Sequence, residues 1–284
     1  MNHLPRRLSL SVRTIVLLAM AASIGMLSIA VAQTELPGNA ANSAPYLHET
    51  DKIWLHAQQE VDTRVLDQLL QRENILKHEA RARRIAHGDT RLREVALTFD
   101  DGPHRKFTPQ LLAILKQYDI HATFFLVGMK AEQAPDLVRD EFNAGHNLGN
   151  HTFHHVNLTK MSDAVAATEI KACGEVLHAI TGETPHLFRP PGGDYDPQIA
   201  RFAAGLGYTL SLWTNDPGDY ARPPKQVLMA RLLRKTTNGC IILLHDGVQQ
   251  TVDILPQFIE TLQSRGYQFV TLDEMLAHRQ AQQP

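Results

Sequence analysis

The sequence predicts an α/β fold in which parallel strands carry helices on their outer face. From Glu94 onward, short apolar runs alternate with segments of helical period, the signature of repeated strand–helix units. Six or seven such units run to the C-terminus, a number that suits a barrel better than an open sheet. The densest polar motifs also follow the apolar runs directly, and the C-terminal mouth of an α/β barrel is where functional groups gather.

The chain has 284 residues, enough for one enzyme domain with an extension. Residues 1–32 read as an export signal: Arg6, Arg7 and Arg13 precede an apolar run from Ile15, which ends at Ala30-Val31-Ala32, a small-x-small cleavage pattern. An uncleaved membrane anchor is the alternative, because the run approaches the length of a spanning helix. The expected location is therefore exported: periplasmic, secreted or envelope-associated, with membrane contact only through a retained N-terminal segment. Residues 33–50, rich in Ala, Asn, Pro, Gly and Ser, read as a linker. Val61, Val65 and Leu69 recur at i, i+4, i+8 with no Pro or Gly before Gly88. That predicts a helical extension over 51–90, its amphipathic pattern spanning 51–86 and packing on the main domain of 91–284.

Within that domain the expected strands are 95–99, 122–127, 146–150, one beginning at 187, 208–213, 241–244 and 269–271. The expected helices are 108–118, 135–144, 162–180 with Gly182 as its stop, 197–205, 223–236 and 252–264. The formal net charge of -2 provides no basic footprint, which sets nucleic acid aside. Cys173 and Cys240 each lie in an apolar stretch and read as two buried thiols.

Five motifs carry chemistry. Asp100 and Asp101 close an apolar strand before Gly102-Pro103. Inside a regular strand they would point to opposite faces, but a break at the strand end could bring both to one site. His151, His154 and His155 crowd into five residues. His151 and His155 have i, i+4 spacing, which would put them on one face of a helix, and His154 could replace either as a metal ligand. Arg189-Pro190-Pro191-Gly192-Gly193-Asp194 is a stiff loop with glycines that admit close backbone approach. Trp213 to Tyr220 follows another strand, and Ile241 to Asp246 places His245 at the end of a fully apolar one. Asp101, His151 and His155 would form a site of two nitrogens and one oxygen with positions left for water and substrate, the arrangement of catalytic zinc. His104, His121, His146 and His186 lack such spacing and read as structural.

These motifs, in this order over about residues 94–275, resemble the NodB-type polysaccharide deacetylases, carbohydrate esterase family 4. The resemblance implies a distorted (β/α) barrel of about seven strands. It implies a divalent metal, zinc first, with cobalt or another ion as alternatives. It implies that Asp101, His151 and His155 hold the metal, Asp100 is the catalytic base, Arg189 holds that base, and Asp219 tunes His245, the general acid. The Gly192 N–H would assist the oxyanion, Leu243 belongs to the Leu-x-His element, and Tyr220 and Trp213 line the substrate pocket. Gly192 stands where many members have Tyr, and Tyr220 where the common pattern has Trp. The implied reaction removes N-acetyl groups from an acetylated glycan such as peptidoglycan or chitin-like oligomers and releases acetate. The alternatives are an O-acetyl esterase or cyclic-amide hydrolase of the same fold, or a glycan-binding protein without turnover. No oligomeric state follows from the sequence.

Overall fold

The computed structural model describes residues 49–60 and 83–281. Helix α1 (Glu49–Glu60) comes first, followed by β1 (Arg84–Ile85), β2 (Glu94–Gly102), α2 (Thr108–Gln117), β3 (Thr123–Leu126), α3 (Gly128–Gln133) and α4 (Pro135–Asn143). Next are β4 (Asn147–Asn150), α5 (Asp163–Thr181), β5 (Leu187–Phe188), α6 (Pro197–Gly205), β6 (Thr209–Ser211) and α7 (Lys225–Lys235). The chain closes with β7 (Cys240–His245), α8 (Gln249–Ser264), β8 (Gln268–Phe269) and α9 (Leu272–Ala281).

All the strands pair in parallel, in the order β1-β6-β5-β4-β3-β2-β7, with β8 paired to β2. Among the described residues, the curled sheet meets itself through one bridge. Asn215, just beyond β6, pairs with Ile242 of β7, and the Leu243 N–H donates to the Asn215 carbonyl at 2.9 Å. This is the distorted (β/α) barrel the sequence predicts.

Strand alternation decides what faces the site. On β2, Val95, Leu97 and Phe99 join the outer cluster under the helices, while Ala96 joins the smaller inner cluster with Phe125, Leu187 and Ile241. Thr98 and Asp100 share the parity of Ala96, so they face inward. On β7 the same parity makes Ile241, Leu243 and His245 one row, and Cys240, Ile242 and Leu244 the other. Leu272 and Met275 of α9 also join the inner cluster. Burying each such side chain contributes roughly 1.5–3 kcal/mol.

Helix ends follow local chemistry. The Ser162 hydroxyl accepts from the Val165 N–H, and Gly182, at φ +80°, ends α5 as expected. Asp196 caps α6 through the N–H groups of Gln198 and Ile199.

Several boundaries differ from the sequence expectation. The helical pattern through residue 86 is interrupted, because Arg84–Ile85 is a strand whose backbone pairs with Leu210 and Ser211. A two-residue strand carries too short an apolar alternation to be read locally. Helix α1 begins at Glu49, inside the expected linker, and α8 begins at Gln249 and accommodates Pro256. The remaining helical pattern, 61–82, and the N-terminal segment 1–32 lie outside the described residues. Among the described residues, no helix is long and apolar enough to cross a membrane. Cys173 and Cys240 are both buried and free. Burial pushes the Cys173 thiol up to about 12, so it is a packing residue, not a nucleophile.

Candidate active site

The paired acids turn toward one site because β2 is irregular at its end. The register with β3 shifts between Asp100 and Gly102, and Asp101 adopts φ +70°. That left-handed residue cancels the strand alternation, and the Lys130 ammonium donates to its carbonyl at 2.8 Å. The histidine motif is not helical. Thr152 and His155 take φ +66° and +57°, and two left-handed turns, not a helix face, bring His151 and His155 together. Their ring centroids are 5.1 Å apart.

Asp101, His151 and His155 each offer a ligand atom, all within 4.8 Å of one another. His155 Nε2 is 2.9 Å and His151 Nε2 3.5 Å from Asp101 Oδ1. That oxygen is buried and accepts no well-aligned hydrogen bond. The three atoms thus face a shared point more than each other, which fits a divalent cation. Burial alone would raise the Asp101 carboxyl, but the two imidazoles outweigh it and hold it well below the usual carboxylate range. The His151 Nδ1–H donates to the Arg189 carbonyl at 2.6 Å, which leaves Nε2 as the bare ligand nitrogen. His154 does not join the cluster. Its Nδ1–H donates to Glu169 at 2.8 Å, so it is no substitute ligand.

Beside this cluster, Asp100 is 3 % exposed and Arg189 fully buried. Arg189 Nη1 donates to Asp100 Oδ1 and to Thr98 Oγ1, each at 2.7 Å. Its other nitrogens reach Ser211 and the Leu212 carbonyl. The guanidinium carbon lies 4.0 Å from the Phe125 ring centroid and 5.5 Å from that of Trp213. Burial lowers the guanidinium pKa, and the Asp100 charge opposes that shift. The second carboxylate oxygen of Asp100 is 3.7 Å from His151 Nε2, so it looks toward the cluster.

On the other flank, the His245 Nδ1–H donates to Asp219 Oδ1 at 2.7 Å, and the His245 backbone N–H donates to Oδ2 at 2.8 Å. The Thr251 hydroxyl completes the fully buried Asp219 carboxylate at 2.7 Å. Burial by itself would lower the imidazole, but its hydrogen bond and charge pairing with Asp219, aided by Asp100 and Asp101, raise it to about 9. The stabilisation from protonated His245 is therefore complete below its unfolded value of 6.5 and is lost as pH rises through about 9. We expect a histidine titration near 9 in NMR spectra, moving to 6.5 or below in Asp219→Asn. A midpoint unmoved by that substitution would contradict the pairing.

The rim is built from the remaining motif residues. Gly192 is exposed at φ +67°, and a Cβ there would meet only Asp194, at 3.9 Å. At Gly193 a Cβ would lie 2.6 Å from the Trp213 ring, so only glycine fits. Tyr220 is 61 % exposed, with its ring edge-on to His245 at 5.6 Å between centroids. Leu243 is buried in β7 beside Thr98. Sequence reasoning missed Thr98, Glu169, Ser211 and Thr251. Thr98 stands two residues before Asp100 on β2, on the same face of the strand; the other three lie outside every motif and reach the site only through packing.

The arrangement offers a cation cradle with a buried carboxylate on one side and a protonated imidazole on the other. Residues 87–211 match the family model described as polysaccharide deacetylase. The chain is 37 % identical over 190 residues to a peptidoglycan-N-acetylglucosamine deacetylase of Bacillus cereus, covering 65 % of this chain and 89 % of that protein. It is 32 % identical to a longer peptidoglycan-N-acetylmuramic acid deacetylase of Bacillus subtilis, of which the match covers 39 % and of this chain 66 %. A solved peptidoglycan N-acetylglucosamine deacetylase superposes with a TM-score of 0.66 at 34 % identity, covering 68 % of this chain and 92 % of that one. A CE4-family pseudoenzyme from Bacillus anthracis superposes equally well, TM-score 0.66, at 28 % identity, over 69 % of each chain.

Proposed function

The chain belongs to the polysaccharide deacetylase family, and from that premise we propose that it is a metal-dependent N-deacetylase of an acetylated glycan, with peptidoglycan as the substrate class. One observation carries this reading: three ligand atoms converge within 4.8 Å, flanked by the bonded pairs Asp100–Arg189 and Asp219–His245. A pseudoenzyme shares the fold, and a mutant of it with restored activity has been solved. Fold alone therefore does not imply turnover, and the reading rests on this complete set of side chains.

In this mechanism Asp101, His151 and His155 hold the cation. A donor set of two imidazoles and one carboxylate suits zinc, with cobalt or another divalent ion as alternatives. When bound, such an ion supplies Lewis acidity to the acetamide carbonyl and to the attacking water. Asp100 Oδ2 accepts the proton of that water, while Arg189 pairs with the carboxylate and orients it through Oδ1. The Gly192 N–H donates to the oxyanion as the carbonyl becomes tetrahedral. His245, protonated at neutral pH by its pairing with Asp219, gives its Nε2 proton to the departing amine, which would otherwise be a very poor leaving group. Tyr220 and Trp213 wall the sugar, and Leu243 backs the acetyl group. The products are acetate and a free amino sugar. A peptidoglycan substrate lies outside the cytoplasmic membrane, which agrees with the export signal expected in residues 1–32.

The test is acetate release from peptidoglycan and from an acetylated chito-oligosaccharide, before chelation, after it, and after divalent ion is restored. Release should vanish and return, with peptidoglycan preferred. A rate unchanged by complete removal of metal would sink the mechanism.

A further inference from the structure

The segment before the barrel has no part in the reaction derived above, yet it reaches the loop that carries both histidines. That loop holds non-glycine residues Thr152 and His155 at φ +66° and +57°, conformations that persist only where neighbours over-determine them. Most of those neighbours belong to the barrel. The Asn150 side chain accepts from the Thr152 N–H at 2.9 Å. The buried Glu169 carboxylate accepts from the N–H groups of Phe153 and His154 at 3.0 and 2.8 Å and from the His154 ring. The N–H groups of Gly128 and Met129 donate to the carbonyls of Thr152 and Phe153, each at 3.0 Å.

One neighbour comes from elsewhere. Trp54 of α1 lies with its ring 5.4 Å from that of Phe153 and edge-on to His154 at 4.7 Å. Phe153 itself is only 3 % exposed. The helix is docked independently of these ring contacts, since Ala57 is fully buried and Ile53 packs against the main core cluster. Trp54 therefore presses on Phe153 and His154, two of the three residues between the candidate ligands, in the stretch whose left-handed turns aim their rings.

We propose that α1 is a positioning element of the metal site: Trp54, acting through Phe153 and His154, holds the turn that points His151 and His155 at their shared cation. The inference rests on the metal-site reading above. It gives the helical extension a function in ligand geometry beyond linking the N-terminus to the barrel.

The test is zinc affinity of the full chain, stripped and titrated against a chromophoric chelator. Trp54→Ala and Trp54→Leu are expected to weaken binding about tenfold, the scale of lost outer-shell support at metal sites, while Trp54→Phe, which keeps an aromatic ring, retains it. Ile199→Ala is the structural control, because Ile199 is buried in α6 within a cluster that contains neither Trp54 nor Phe153. It should lower the melting temperature and leave zinc affinity little changed. Trp54→Leu keeps apolar bulk, so the comparison stands even if Trp54→Ala does not fold. Wild-type affinity in Trp54→Leu, or an equal loss in Ile199→Ala, overturns the proposal. A wild-type chain that binds no divalent ion overturns both it and the reading on which it rests.

Discussion

Asp100→Asn is expected to slow acetate release by roughly 10²–10⁴-fold, the usual contribution of a positioned general base, while the purified protein keeps its divalent ion. Asp100 is not one of the three converging ligands. One oxygen is tied to Arg189 at 2.7 Å, and the other faces the cluster 3.7 Å from His151 Nε2. An amide in the same place can still accept from the guanidinium, but it cannot take a proton from water. Metal content and turnover should therefore separate. The variant should also be less stable, because the fully buried Arg189 loses its counter-charge. Turnover equal to wild type would remove Asp100 from the role of base.

Arg189→Met is expected to destabilise the fold by about 3–5 kcal/mol, the cost of leaving one partner of a buried ion pair alone, and to abolish activity with it. The guanidinium is 0 % exposed and bonds to Thr98, Asp100, Ser211 and the Leu212 carbonyl. Its removal strands several buried acceptors at once. An uncompensated buried carboxylate takes up a proton in preference to remaining charged, and a protonated Asp100 cannot act as base. Urea unfolding measures the first effect and acetate release the second. The double variant Asp100→Asn/Arg189→Met should recover part of the stability and none of the activity, because a neutral pair no longer strands a charge. If the single variant unfolds at the wild-type urea concentration, the buried pair does not contribute to the stability of the fold.

Much of this was legible before any coordinates. The alternation of strand and helix is a local property, so β2, α2, β3, α4, α5, α6 and β7 fall close to their expected ranges. The chemically rich residues followed apolar runs, and a barrel has one mouth at the ends of its strands. That is why Asp101, His151 and His155 could be grouped from sequence, and why the structure finds them within 4.8 Å. The manner of their meeting was not legible. The i, i+4 spacing of the histidines suggested a helix, whereas the chain uses two left-handed turns. Those turns are held by Glu169 from α5 and Trp54 from α1, at separations no local pattern records.

The sequence by itself determined the element types, the fold class and the inventory of acids, imidazoles and glycines at the strand ends, because hydrophobic period and turn chemistry act over a few residues. Only the tertiary structure decided which oxygen of Asp100 meets Arg189, that Asp101 breaks the alternation to share a site with two histidines, that Thr251 completes Asp219, and that a helix outside the barrel touches the ligand loop. Those outcomes depend on side chains far apart in the chain competing for the same buried volume and the same hydrogen-bond donors, and that competition is resolved only when the core packs.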